Sequence, residues 1–168
     1  FIYGRSEIIS NENNNSHFPK LQDPLHQGKI FKYLCKGNFI PFVSVIVDRV
    51  KFKECGGFPK HIKHSTDYLL FLELAYKYHV KAMDGVDCKY RMHKNNLTNK
   101  LRITAAKESI NAVERFLPHK DAISGLKFQN LNIAIAYFKN QKYFQASTII
   151  IQYNLFNLLF NRLRRKIS

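Results

Sequence analysis

Asp67 stands at the head of a long apolar run, "HSTDYLLFLELAYKYHV", and a carboxylate in that position has two uses. Helix starts carry unsatisfied N–H groups and a partial positive charge, so Ser65, Thr66 and Asp67 are three successive candidates to cap the helix that the run predicts. The same carboxylate could instead serve as an acid or base, a rarer role. Upstream, Gly56-Gly57 suits a turn that needs φ > 0. Downstream, Arg91 and His93 are two apart in "KYRMH", the spacing of one strand face. Cys55, His61 and His64 have the residue types of a zinc site, but a fourth ligand is not evident, and structural zinc sites use four.

Those side chains need elements to hold them. "FIYG" has the alternation and β-formers of a strand already under way, and with no initiator Met the chain reads as a segment of a longer protein. "RSEIISNENNNSHFPK" reads as turn or loop. "DPLHQGKIFKYLCKGNFI" has a helix-start signal at Asp23-Pro24 and apolar Ile30, Phe31 and Leu34 at helical spacing. "FVSVIVDRVKF" alternates around Ser44 and Asp48 and predicts a strand followed by a short helical turn. "ECGGF" then breaks regular structure. Tyr68 to Tyr78 predicts a largely buried helix. "HVKAMDGVDCKYRMH" predicts strand, turn and strand around Asp84-Gly85, and "KNNLTNK" a loop.

From about Ile103 the texture is helical, with Pro118 between the first two segments. "LNIAIAYFKNQKYFQASTIII" has the small and aromatic texture of a helix-turn-helix hairpin of tetratricopeptide type, though one hairpin is not an array. The last helix would carry Asn154, Asn157 and Asn161 on one stripe and end in Arg162, Arg164, Arg165 and Lys166. It is too short and interrupted to span a bilayer. Two roles stay open for it: lying on an anionic membrane surface, or packing on the hairpin with its basic end complementing the helix dipole.

The 168 residues suffice for one domain with a core, and the composition is globular, 45% hydrophobic and 14% aromatic. The formal charge of +15 favours phosphate-bearing partners in nucleic acid, nucleotide or anionic lipid. Cys35, Cys55 and Cys88, odd in number and without CxxC pairing, read as reduced thiols of a cytosolic protein. No secretory signal opens the chain.

Four stretches in order, "NFIPFVSVIVDR", "GGF", "TDYLLFLELA" and "YRMHKNNLT", together resemble the C-terminal half of a family 2, inverting glycosyltransferase of the GT-A fold. The resemblance covers roughly residues 1–100. It implies an α/β fold: residues 1–102 as the acceptor-side half of a GT-A domain lacking its N-terminal nucleotide-binding half, and residues 103–168 as a helical extension. It implies transfer of a sugar from a nucleotide-sugar donor to a glycan or lipid-linked acceptor, as in polysaccharide biosynthesis, with Asp67 as general base. Gly56 and Gly57 would form the acceptor-side glycine loop with Thr66 beside them, Arg91 would neutralise diphosphate, and His93 would help hold Mn²⁺ or Mg²⁺. A helix N-terminus would keep the Asp67 carboxylate ionised at neutral pH. The location implied is cytoplasmic, at the inner face of a membrane.

Two departures accompany it. Thr66 replaces the Glu of the family's Glu-Asp pair, and the Asp-rich metal motif of the nucleotide-binding half is absent, so the metal and donor sites are expected only with that half, and the segment alone should be inactive. The alternatives are a basic binding module for nucleic acid or anionic lipid and a degenerate, non-catalytic remnant. Nucleic acid is the weaker partner, since no recognised motif is present and Lys is scattered.

Overall fold

The computed structural model describes residues 1–10, 16–17, 25–60, 62, 65–92 and 102–167. The chain is α/β. Its sheet has the order β2-β1-β3, formed by β1 (Ile2–Ser10), β2 (Ser16–His17) and β3 (Lys81–Met92). β2 lies antiparallel to β1, with Ile8 opposite His17, whereas β3 runs parallel to β1 from the Ile2–Lys81 pair to the Ser10–Met92 pair.

β1 runs through the polar "RSEIIS" that reads as loop in the sequence. Cross-strand ion pairs supply what hydrophobicity lacks there: Arg5 Nη2 lies 2.8 Å from Asp84 Oδ1, and Lys89 Nζ lies 3.8 Å from Glu7 Oε2. The strand-turn-strand expected around Asp84-Gly85 is instead one strand with a bulge. Tyr3 pairs with Ala82, Arg5 with Val86 and Ser6 with Cys88, so β3 carries three extra residues over this stretch, two before Val86 and one after it, and then continues along the same partner. Gly85 is not among the described glycines with positive φ, which the expected reversal would need.

"FVSVIV" also departs from the expected strand. Phe42–Ser44 is a 3-10 turn, and only Ile46 makes a bridge, to Ile2. Ser44 Oγ lies 2.8 Å from Pro41 O and 3.0 Å from Gly4 O, its one proton shared between the two carbonyls, which curls the segment against β1. The short helix expected next is present as α2 (Arg49–Glu54), capped by Asp48, whose Oδ1 accepts from Val50 N and Lys51 N, both at 3.0 Å. Of the segment after Asp23-Pro24, itself outside the described residues, a single turn is helical, α1 (Phe31–Leu34), with Ile30, Phe31 and Leu34 buried as the spacing implied.

α3 (Thr66–Lys77) is the buried helix at the centre, hiding Tyr68, Leu69, Leu70, Phe71, Leu72, Leu74 and Ala75. The helical texture after Ile103 is realised as α4 (Arg102–Glu114), α5 (Lys120–Lys139), α6 (Tyr143–Gln152) and α7 (Phe156–Ile167). α5 and α6 form the expected helical hairpin, turning at Asn140 to Lys142, with Gln141 at φ 58. Asn154, expected on the last helix, precedes it at φ 49. Ala112, Val113, Phe116 and Ala122 enter the same apolar core as Tyr3, Leu34 and Phe71, so these helices pack onto the sheet-bearing part. No helix among the described residues is long and apolar enough to cross a membrane.

Candidate active site

The start of α3 is assembled from four stretches of chain. Ser65 precedes the helix, but its hydroxyl does not cap it: Oγ donates to Ala105 O at 3.2 Å and lies 3.3 Å from Ser109 Oγ. Its backbone N–H donates to Glu108 Oε2 at 3.0 Å, so α4 supplies a carboxylate to the entry of α3. Thr66 is the first helical residue and Asp67 the second, both half-buried. Asp67 Oδ1 accepts from Tyr68 N at 2.8 Å, satisfying one of the orphan donors of the first turn. Its Oδ2 faces Asn38 Nδ2 at 3.4 Å. Asn38 is itself oriented, because its Oδ1 accepts from Ile40 N at 3.1 Å.

Burial pushes the Asp67 carboxyl above its ordinary value, and the opposing hydrogen bonds from the backbone and Asn38 do not offset it. A carboxylate whose proton affinity is raised is a stronger base when ionised.

Beneath Asp67 the helix is fixed by its neighbour. Tyr68 is buried, its hydroxyl donates to Leu34 O, and Gln129 Nε2 of α5 reaches both Tyr68 Oη at 3.1 Å and Cys35 O at 2.7 Å. Burial pushes the Tyr68 phenol far up, so it stays protonated. One turn along from Asp67, Phe71 packs on Phe42 with ring centres 6.4 Å apart, and Phe42 on Phe58 at 5.9 Å. Through these rings the Gly56-Gly57-Phe58 turn is tied to α3.

Gly56 and Gly57 have φ of 81° and 63°, the conformation the pair was read to need. A Cβ at Gly56 would meet nothing within 4 Å, whereas at Gly57 it would lie 3.1 Å from the Phe52 ring. The backbone at Gly56 thus borders open space. No family model, curated protein or solved structure matches the chain. Its chemistry rests on its own residues.

Arg91 is exposed near the far end of β3, opposite Ile9. His93 lies outside the described residues, as do His61 and His64. Among the described residues no group of three or more His, Cys, Asp or Glu could hold a metal ion. None of the three cysteines is in a disulfide, and burial pushes the Cys35 thiol up to about 12.

Sequence reasoning missed Glu108 as a contributor to this site, and passed over the amide of Asn38. Glu108 stands 43 residues from Ser65 and Asn38 stands 29 from Asp67, so neither contact has a local signal.

Proposed function

We propose that this chain is the acceptor-side part of an inverting, family 2 glycosyltransferase of the GT-A fold, with Asp67 as its general base. The observation that carries this is a half-buried carboxylate of raised proton affinity at the start of a buried helix, oriented by Asn38 and by the Tyr68 amide. In this reading an acceptor hydroxyl approaches Asp67. Its oxygen forms a bond to the anomeric carbon of a nucleotide sugar as the bond to the diphosphate breaks. The proton passes to the Asp67 carboxylate, and the nucleoside diphosphate leaves with the bonding electron pair.

Asn38 and Glu108 are positioning residues, one for the carboxylate and one for the amide that precedes the helix. The open face at Gly56 admits an acceptor sugar close to the backbone, and Thr66 is assigned an acceptor-binding role with Gly56 and Gly57 on the resemblance alone. Donor binding is assigned to residues outside the 168 given, and no step is routed through a metal. Arg91 and His93 keep the diphosphate and metal roles only as part of that larger assembly.

The test uses the complete natural polypeptide. Release of nucleoside diphosphate from a panel of sugar nucleotides, with Mn²⁺ or Mg²⁺ supplied, is expected for at least one donor. Asp67→Asn is expected to lower kcat on the order of 100-fold or more while circular dichroism is unchanged. Unaltered turnover in that variant, or none in the wild type with any donor, overturns the proposal.

A further inference from the structure

We infer that the C-terminal helices α6 and α7 dock on an anionic bilayer surface, with Phe144, Ile151, Phe156 and Phe160 as the inserting side chains. After Asp121 the sequence contains no Asp or Glu, while Lys and Arg continue to its end, gathered at Arg162, Arg164, Arg165 and Lys166. Between Lys142 and Arg162, in a run without charged side chains, large apolar side chains face outward: Phe144 is 82% exposed, Ile151 67%, Phe160 60% and Phe156 58%.

Their spacing makes stripes. Phe144 and Ile151 are seven apart, two turns along one face of α6. Phe156, Phe160 and Arg164 follow at steps of four along α7, and the Arg164 Cζ lies 5.7 Å from the Phe160 ring centre. The inward face of α7 is already used. Leu155, just before it, is fully buried, Leu158 and Leu159 are half-buried, and Arg162 ties the helix to α5 through Asn132 Oδ1 and the Phe128 ring. Packing on the hairpin therefore accounts for the leucines and leaves the phenylalanines out.

The occupant has to be both apolar and negative. A second copy of this chain would bring the same positive patch and be repelled. Nucleic acid brings the charge but no apolar phase for Ile151 and the phenylalanine rings. A surface of anionic lipid brings both, headgroups for the cations and an acyl boundary for the rings. A groove of about 390 Å³ between α4 and α5, lined in part by Ile133, Ala136 and Tyr137, has Lys107 and Lys142 beside this apolar lining and reaches the α5–α6 turn. Contact is peripheral, since no described helix is a membrane span. The inference rests on this surface alone and stands or falls separately from the transferase proposal.

The experiment is flotation of the full chain with vesicles of phosphatidylcholine, with or without phosphatidylserine. Binding is expected only with phosphatidylserine. The double variant Phe156→Ser/Phe160→Ser should lose roughly tenfold or more in affinity for those vesicles, and Arg164→Glu should also weaken it. Val50→Ser, on the comparably exposed Val50 of α2, should bind as wild type. Because Arg164→Glu leaves the rings in place, it keeps the test decisive if the double variant fails to fold. The inference is overturned if phosphatidylserine vesicles are not bound, if neutral vesicles bind equally, if neither α7 variant weakens binding, or if short duplex DNA is bound in preference at matched salt.

Discussion

The stretch that contains no acidic side chain is used in opposite ways at its two ends. Along α5 it forms a close seam: Gly125 brings that helix so near the end of α1 that a Cβ would lie 2.3 Å from Cys35 O, and Gln129 satisfies both Cys35 O and the Tyr68 hydroxyl. Along α6 and α7 the largest apolar side chains face outward beside Arg164. Both regions lie in the part of the sequence after Asp121, which has no Asp or Glu, so the absence of acidic side chains does not decide which residues are hidden. What decides is the surface each helix meets. α5 meets a core with a carbonyl to satisfy and a gap only glycine fits, whereas α7 meets the rest of the protein through Leu155, its half-buried leucines and Arg162.

The seam also bears on chemistry. Gln129 holds Tyr68, and Tyr68 is the residue whose amide binds Asp67. A side chain near the middle of α5 therefore fixes the first turn of α3 from beneath.

Substitutions can break or sharpen this contrast. Gly125→Ala should have the largest effect, because the atoms in the way are backbone and cannot rotate aside. A loss of roughly 2–4 kcal/mol is expected in urea unfolding. Gln129→Ala should cost about 1–3 kcal/mol, since it strands the Cys35 carbonyl and removes the donor to the Tyr68 hydroxyl, which keeps only its bond to Leu34 O. A double-mutant cycle with Tyr68→Phe should then show coupling, and strict additivity would break the seam as described.

Asp67→Asn tests the head of α3 through pH. The folded carboxyl titrates above the unfolded one, so between the two values the folded state binds more protons and stability falls as pH rises. The uncharged variant should therefore be the more thermostable at neutral pH. That advantage should fade as pH drops below the ordinary carboxylate value of about 3.9. Thermal melts across this range check the sign. The smallest effect on folding is expected at the outer face, where Phe156→Ser/Phe160→Ser should change stability by no more than about 0.5 kcal/mol. A large loss there would mean those rings pack in solution, and the contrast between the two regions would vanish.

Much of the helical architecture was legible because its cause is local. The period of the apolar residues marks α3 and the segments after Ile103, and Asp48 stands before α2 as a cap should. The sheet was less so. "RSEIIS" gives no hydrophobic alternation, and its strand exists because Asp84 and Lys89 wait on the neighbour. Asp84-Gly85 carries a turn signal, yet β1 continues alongside, so the chain bulges instead of reversing. "FVSVIV" has strand composition, but Ser44 spends its hydroxyl on Pro41 and Gly4 and bends the segment. At the candidate site Asp67, Thr66 and the Gly56-Gly57 turn were visible from residue type and position. The Glu108 contact was not, because it is made only when α4 packs on α3. The raised proton affinity of Asp67 was missed for a similar reason: the helix start is a local feature, whereas burial depends on the whole fold.

The most direct test of Asp67 as a base is the pH dependence of kcat/KM for nucleoside diphosphate release by the complete natural polypeptide, wild type against Asp67→Asn. The account predicts an acid limb lying above the ordinary carboxylate range in the wild type, and a much slower variant in which that limb is gone. An identical limb at an unchanged rate in Asp67→Asn would contradict it, leaving Asp67 as a residue that only satisfies the first turn of its helix.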